Sequence, residues 1–245
     1  MSKNYLRRAA GMGTLIANVI CPPSLEGRNI LMRKISLIVY DFDGTLVDTL
    51  FDIADAVNLS LADLELPQLP RETIRKYVGK GVENLMSQTL EGSGFTDVPQ
   101  AVTLFKKHYS ENLVTHTDFY PRGREILDHF KNKKQAICSN KPEEMVRRIL
   151  ESLNSLEPFD AIIGGDTVKS KKPDPEGLNL IMKQLNVSPA EAVLVGDSPV
   201  DIETGKRAGV YTCVVNYGLG FPEEIAAAAP DCSIDCLSQL KEIFH

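Results

Sequence analysis

Ile35-Ser36-Leu37-Ile38-Val39-Tyr40-Asp41-Phe42-Asp43-Gly44-Thr45 is the stretch that decides the fold. A short, nearly continuous apolar run ends abruptly in two carboxylates and a glycine. That pattern predicts a strand buried on both faces, as in a parallel sheet, feeding a loop. Four later runs read the same way: Gln135 to Ser139, Phe159 to Gly164, Ala192 to Gly196 and Tyr211 to Val215. Helical faces lie between them. Ile126, Leu127 and Phe130 follow Pro121; Met145, Ile149 and Leu150 follow Pro142; Leu178, Ile181, Met182 and Leu185 follow Pro175. This alternation predicts an α/β protein, a parallel sheet with helices on both faces. A strand near Cys232 to Ile234 and a helix from Leu237 to Phe244 are expected to close it.

The segment 49–117 breaks the rhythm. Phe51, Ile53, Ala54, Val57, Leu61 and Leu64 recur at helical spacing. Further helical stretches follow Pro70, Gly81 and Pro99, with Asp97 or Pro99 marking a start. A helical insert is therefore expected between the first and second sheet strands. The core then comprises 34–48 and 118–245, and 1–33 form a disordered leader, with Met32 a candidate true start. The leader carries Lys3, Arg7 and Arg8 ahead of a mildly apolar stretch, a partial signal pattern interrupted by Gly11, Gly13, Thr14 and Asn18.

The 245 residues carry 43% hydrophobic and 24% charged side chains, an ordinary globular composition. No apolar stretch is long enough to span a membrane. The net charge of −6 argues against nucleic acid but not against a phosphate ester held in one cationic pocket. The five cysteines, Cys21, Cys138, Cys213, Cys232 and Cys236, show no C-x-x-C pair and are expected as free thiols in a reducing, cytoplasmic setting. The four histidines show no metal-ligand spacing.

Ligands of an open parallel sheet bind beyond the carboxyl ends of its strands, so Asp41, Asp43, Ser139, Asp166 and Asp197 come first. Asp41 and Asp43, one residue apart on a tight loop, suit a nucleophile and an acid/base, or simply a turn in which Asp caps local N–H groups. Gly44 lets backbone N–H groups approach a phosphoryl oxygen. Ser139, Asn140 and Lys141 precede Pro142, where a hydroxyl and N–H groups at a helix start make either an anion site or an ordinary cap. Lys172, fixed by Pro173, either neutralises phosphate or belongs to a solvated basic loop. Asp197 and Asp201, four apart after a buried strand, suit a hard cation such as Mg²⁺ or a helix N-terminus.

Taken together and in this order, these motifs resemble the haloacid dehalogenase-like hydrolase superfamily, and within it the phosphoglycolate phosphatase-like group. They run as Asp41 to Asp48, Ser139 within Cys138 to Pro142, Lys172 within Lys171 to Pro175, and Val195 to Gly205 followed by Ala208-Gly209. The resemblance spans about Lys34 to Phe244. It implies a Rossmann-like core with an inserted helical cap and a phosphatase that acts on a small phosphorylated metabolite, most naturally 2-phosphoglycolate, through an aspartyl-phosphate. Asp41 would attack and Asp43 would be the acid/base. Ser139, Asn140 and Lys172 would hold the phosphoryl group. Asp41, the backbone carbonyl of Asp43 and Asp197 would bind Mg²⁺, supported by Asp201. Lys80, between Gly79 and Gly81, falls where such caps contact substrate, and is the expected reader of a substrate carboxylate. Asn140-Lys141-Pro142 is similar to the phosphoglycolate phosphatase pattern. Tyr120-Pro121-Arg122-Gly123 departs from the superfamily, where Gly usually follows this Pro.

Rivals on the same fold are a β-phosphoglucomutase-like phosphomutase and an inorganic pyrophosphatase. A non-catalytic binding or regulatory protein is the rival of another class; intact Asp41 and Asp43 argue against it. The expected state is monomer or homodimer.

Overall fold

The computed structural model describes residues 33–245. In chain order its elements are β1 (Leu37–Tyr40), β2 (Val47–Asp48), α1 (Leu50–Asp63), α2 (Arg71–Arg75), α3 (Val82–Thr89), α4 (Val98–Glu111), β3 (Asp118–Phe119), α5 (Gly123–His129), β4 (Lys134–Cys138), α6 (Glu143–Ser152), β5 (Ala161–Ile163), α7 (Glu176–Leu185), β6 (Ala192–Gly196), α8 (Pro199–Ala208), β7 (Tyr211–Val215), α9 (Pro222–Ala228), β8 (Cys232–Ile234) and α10 (Leu240–Ile243).

Six strands form one parallel sheet in the order β5-β4-β1-β6-β7-β8. β1 is interior, paired to β4 on one side and β6 on the other. Its side chains alternate between two cores. Ile38 and Tyr40 face one, with Ile53, Phe105 and Ile149; Leu37 and Val39 face the other, with Leu178 and Ile181. Burial on both faces is why the run shows no polar alternation. Each of these β1 side chains is fully buried, worth roughly 1.5–3 kcal/mol apiece in transfer terms for the aliphatic ones. Tyr40 keeps its hydroxyl satisfied through Gln135 Oε1 at 3.2 Å.

The chain runs from β1 outward through β4 and β5, then returns to the opposite side of β1 with β6. The order reverses there, which leaves a crevice beyond the carboxyl end of β1.

Every element between β2 and β3 is helical. α1 buries Leu50, Ile53, Ala54, Val57 and Leu61 at helical spacing. Phe51 lies one position off that stripe; it is exposed and covered by the Arg71 guanidinium, 3.5 Å from its ring. Asp97 caps α4 by accepting from the Gln100 N–H at 3.0 Å, with Pro99 in the first turn. The antiparallel pair β2/β3 clamps the two ends of the insert together.

The expected C-terminal helix is split: a 3₁₀ turn over Leu237–Gln239 leads into α10. Cys138, Cys213 and Cys232 are free thiols, and Cys21 lies outside the described residues. The expected leader and the start at Met32 lie outside the described residues, except Arg33, which bridges to Phe244. Among the described residues no helix is long and apolar enough to cross a membrane.

Candidate active site

The ends of β1, β4 and β6 deliver the polar residues. Asp41 continues β1, its N–H donating to Val195 O at 2.8 Å. The chain then turns tightly, with the N–H groups of Leu46 and Val47 both directed to Phe42 O. Gly44 makes the turn at φ +85°, and a Cβ there would meet Asp197 Oδ2 at 2.5 Å. Only glycine fits both the dihedral and the space.

Lys172 Nζ donates to Asp201 Oδ1 at 2.6 Å and lies 2.9 Å from Asp41 Oδ1. The latter is an ion-pair contact off the hydrogen-bonding direction, so Asp41 Oδ1 accepts no hydrogen bond although it is buried. Asp201 Oδ2 takes Ser198 Oγ at 2.6 Å and the Ser198 N–H at 3.1 Å, which closes a capping box on α8. Asp197 accepts from Thr45 Oγ1 at 3.1 Å and from the Leu219 N–H at 2.6 Å. Burial opposes charge on Lys172, but Asp201 and Asp41 outweigh it and its pKa is raised.

Asp43 points into a second cluster. Lys141 Nζ lies 3.0 Å from Asp43 Oδ1 and 3.3 Å from Oδ2, and donates to the Tyr109 hydroxyl at 2.8 Å; Thr49 Oγ1 donates to Asp43 Oδ1 at 2.7 Å. The ammonium of Lys141 also stands 4.5 Å from the Tyr109 ring centroid. Burial opposes its charge, and Asp43 and Tyr109 more than compensate.

Ser139 lines the same space. The Asn140 side chain is occupied by backbone: it accepts the Lys172 N–H at 2.8 Å and donates to Lys172 O at 3.0 Å and Gly79 O at 2.9 Å. It positions Lys172. Asp166 stays away, exposed and capping Glu143 N at 2.8 Å. Lys80 is exposed at the mouth of the crevice. Arg75 of α2 crosses that mouth, its guanidinium donating to Leu219 O at 3.2 Å and Gly218 O at 3.1 Å.

Asp41, Asp197 and Asp201 are buried with carboxylate oxygens within 4.8 Å of one another. Burial raises Asp41 to about 6, with Lys172 opposing and Asp201 adding. Burial, then Asp201 and Asp41, push Asp197 up to about 8. With Asp43, four carboxylates face two ammonium groups, a formal excess of two negative charges. A hard dication with oxygen ligands fits this set, in which Asp41 Oδ1 has only the ion-pair contact with Lys172. A second acidic group differs. Asp52 is fully spent on the His116 and Thr117 N–H groups, and Asp55 and His116 are exposed.

A cavity of about 50 Å³ opens over Asp41 and Asp43. Ile53, Val78, Val82, Leu85, Phe105 and Met145 give it apolar walls, with Tyr109 and Lys141 at its polar end. Outside it lies the wider mouth, about 940 Å³, which reaches Asp197, Phe221 and Lys80.

Lys141, Tyr109, Thr45 and Arg75 were not singled out as site residues by the sequence. Lys141 had two signals, its place directly after Ser139-Asn140 at a strand end and its part in the Asn140-Lys141-Pro142 resemblance. Tyr109 and Arg75 had none, because they come from the helical insert and meet the site only in three dimensions.

The sequence model of a family described as haloacid dehalogenase-like hydrolase matches residues 38–215. The chain is 40% identical over 184 residues to a phosphoglycolate phosphatase of Aquifex aeolicus, covering 74% of this chain and 85% of that one. It is 34% identical over 218 residues to a phosphoglycolate phosphatase of Colwellia psychrerythraea, covering 85% and 96%. The crystal structure of a predicted phosphoglycolate phosphatase from Haemophilus somnus superposes with a TM-score of 0.82 at 28% identity, covering 86% of this chain and 99% of that one.

Proposed function

The chain belongs to the haloacid dehalogenase-like hydrolases, and on that footing we propose that it hydrolyses 2-phosphoglycolate with Mg²⁺ as its cofactor. The observation that carries the reading is the pairing of Asp41 with Lys172, at 2.9 Å, at the end of the central strand and beside Asp197. The names of the relatives support the substrate, and the small cavity over Asp41 favours a short tail.

Asp41 is the nucleophile. Its carboxylate oxygen attacks phosphorus, the ester P–O bond breaks, and Asp43 gives its proton to the leaving oxygen. Asp43 then takes a proton from water, which attacks phosphorus. The bond from phosphorus to Asp41 breaks and phosphate leaves. Lys172, held by Asp201 and by Asn140, sets a fixed positive charge beside the attacking carboxylate. Ser139 contributes a hydroxyl to the phosphoryl site. Asp41, the carbonyl of Asp43 and Asp197 would hold Mg²⁺, with Asp201 supporting. The ion, when bound, neutralises charge so that two anions can approach. The helices of 49–117 act as a cap that excludes water, with Lys80 at the entrance.

The test is phosphate release from 2-phosphoglycolate by purified protein, with Mg²⁺ and with EDTA. Activity is expected only with the ion, and Asp41→Asn should abolish it. Asp43→Asn should lose roughly 10²–10⁴-fold, the usual range for acid–base groups. Isomerised sugar phosphate in place of free phosphate would identify a phosphomutase instead. Turnover by Asp41→Asn at the native rate would remove the mechanism.

A further inference from the structure

We infer that Lys141, seated on Tyr109, is the specificity-determining residue: it takes a carboxylate one carbon from the ester oxygen of the substrate. The inference rests on the proposed phosphatase reading and names the group that selects within it.

Four ammonium groups come near the crevice, Lys76 among them exposed at the wide mouth, and geometry separates the others. Lys172 is committed to Asp41 and Asp201 on the phosphoryl side. Lys80 is exposed and borders only the wide mouth. Lys141 is buried and is the one Lys, Arg or His among the described residues that line the small cavity. The remaining walls are mostly aliphatic and aromatic. A carboxylate entering such a space without a cationic partner would lose its hydration for nothing, at a cost of several kcal/mol.

Lys141 is fixed from two sides. Asp43 holds it at 3.0 Å and the Tyr109 hydroxyl at 2.8 Å, with the aromatic face beneath. An ammonium held this way has little rotamer freedom left to lose when an anion arrives. Having accepted from Lys141, the Tyr109 hydroxyl keeps its own proton to donate, and when the longer of the two Lys141 contacts with Asp43 passes to the substrate, one carboxylate meets two donors. Asp43 touches Lys141 directly, so a tail drawn to Lys141 is held next to the acid.

Size points the same way. The small volume directly over Asp41 and Asp43, about 50 Å³, favours a short tail at that end.

The experiment compares kcat/KM for 2-phosphoglycolate with that for ethyl phosphate, which carries a methyl group in place of the carboxylate. Wild-type enzyme is expected to prefer phosphoglycolate. In Lys141→Met the ratio of the two should fall about tenfold to a hundredfold, the scale of one charge-assisted hydrogen bond, whatever loss is common to both substrates. Glycolate should inhibit that variant correspondingly less, with inhibition by inorganic phosphate as the control for the phosphoryl side. Should Lys141→Met fail to fold, Lys141→Gln, which keeps a donor for Tyr109 and Asp43, is read by the same ratio. An unchanged ratio in a folded variant overturns the role of Lys141 and leaves the phosphatase reading standing. A wild-type enzyme with no preference for phosphoglycolate overturns the substrate reading and this role with it.

Discussion

Lys172 and Asp201 form a buried ion pair, Nζ to Oδ1 at 2.6 Å, that joins the loop before α7 to the first turn of α8. The other oxygen of Asp201 satisfies the cap of that helix. Removing this carboxylate leaves the buried ammonium with Asp41 as its one partner and uncaps a helix at once. Asp201→Ala should lose about 1–3 kcal/mol of stability, read as a lower denaturant midpoint at unchanged slope. Its turnover should drop as well, because Lys172 then answers to Asp41 alone. A variant as stable as the native chain would show the pair to be incidental.

Metal and pH should act on one another. Unfolded carboxylates ionise near pH 4. Burial holds Asp41 at about 6 and Asp197 at about 8 in the folded chain. Raised carboxylates contribute stability that is full below about pH 4 and is lost as pH rises through about 6 and then 8. Without metal, these two groups should therefore make the protein melt higher at pH 5 than at pH 8. Mg²⁺ favours the charged forms, so the rise in Tm that it produces should be larger at pH 8. Melts with EDTA or Mg²⁺ at both values measure this, and an increment independent of pH would contradict it.

Gly44→Ala places a methyl group 2.5 Å from Asp197 Oδ2 at a dihedral that alanine resists. The carboxylate has to move. A raised Mg²⁺ requirement, in a titration of activity, and a lower Tm are both expected. Native Mg²⁺ dependence in this variant would mean that Asp197 is not a ligand.

Arg122 occupies the left-handed region at φ +70° and starts α5. Its one ion pair, to Glu125, is exposed and worth little. Arg122→Gly should raise stability by a few tenths to about 1 kcal/mol, since relief of the strain exceeds the entropy that glycine adds. Equilibrium unfolding decides the sign, and a destabilised variant would show that the side chain does more than its contacts suggest.

Much of this was legible in the chain. Ala192–Gly196 and Tyr211–Val215 match the expected strands at both ends because both faces are buried and the flanking residues are turn formers. Ile35 fell outside its strand because its N–H pairs with the C-terminal carbonyl of His245 instead of a sheet neighbour. The β2/β3 pair was missed because two residues carry no periodicity. In the site, Asp41, Asp43, Ser139 and Asp197 come together at strand ends as the pattern expects, whereas Asp166 caps a helix away from them. Asn140 was read as a phosphate contact through the N–H groups of this loop; its side chain binds the backbone of Lys172 and Gly79, a role no pattern announced. Tyr109 sat within an ordinary amphipathic helix, where an aromatic at helical spacing looks like any core residue. Only the closure of the insert over β4 gives it a lysine to hold.

Arg75 reaches from the insert to two carbonyls of the loop after β7, and the next amide of that loop holds Asp197. Insert and loop therefore form one unit of exchange, although more than a hundred residues separate them. A helical insert grafted from another protein brings its own side chain to that spot and meets carbonyls shaped for an arginine. A chimera should keep this contact only when residues 49–117 and 216–221 come from the same parent. The sequence of a distant loop thus becomes part of the specification of the insert.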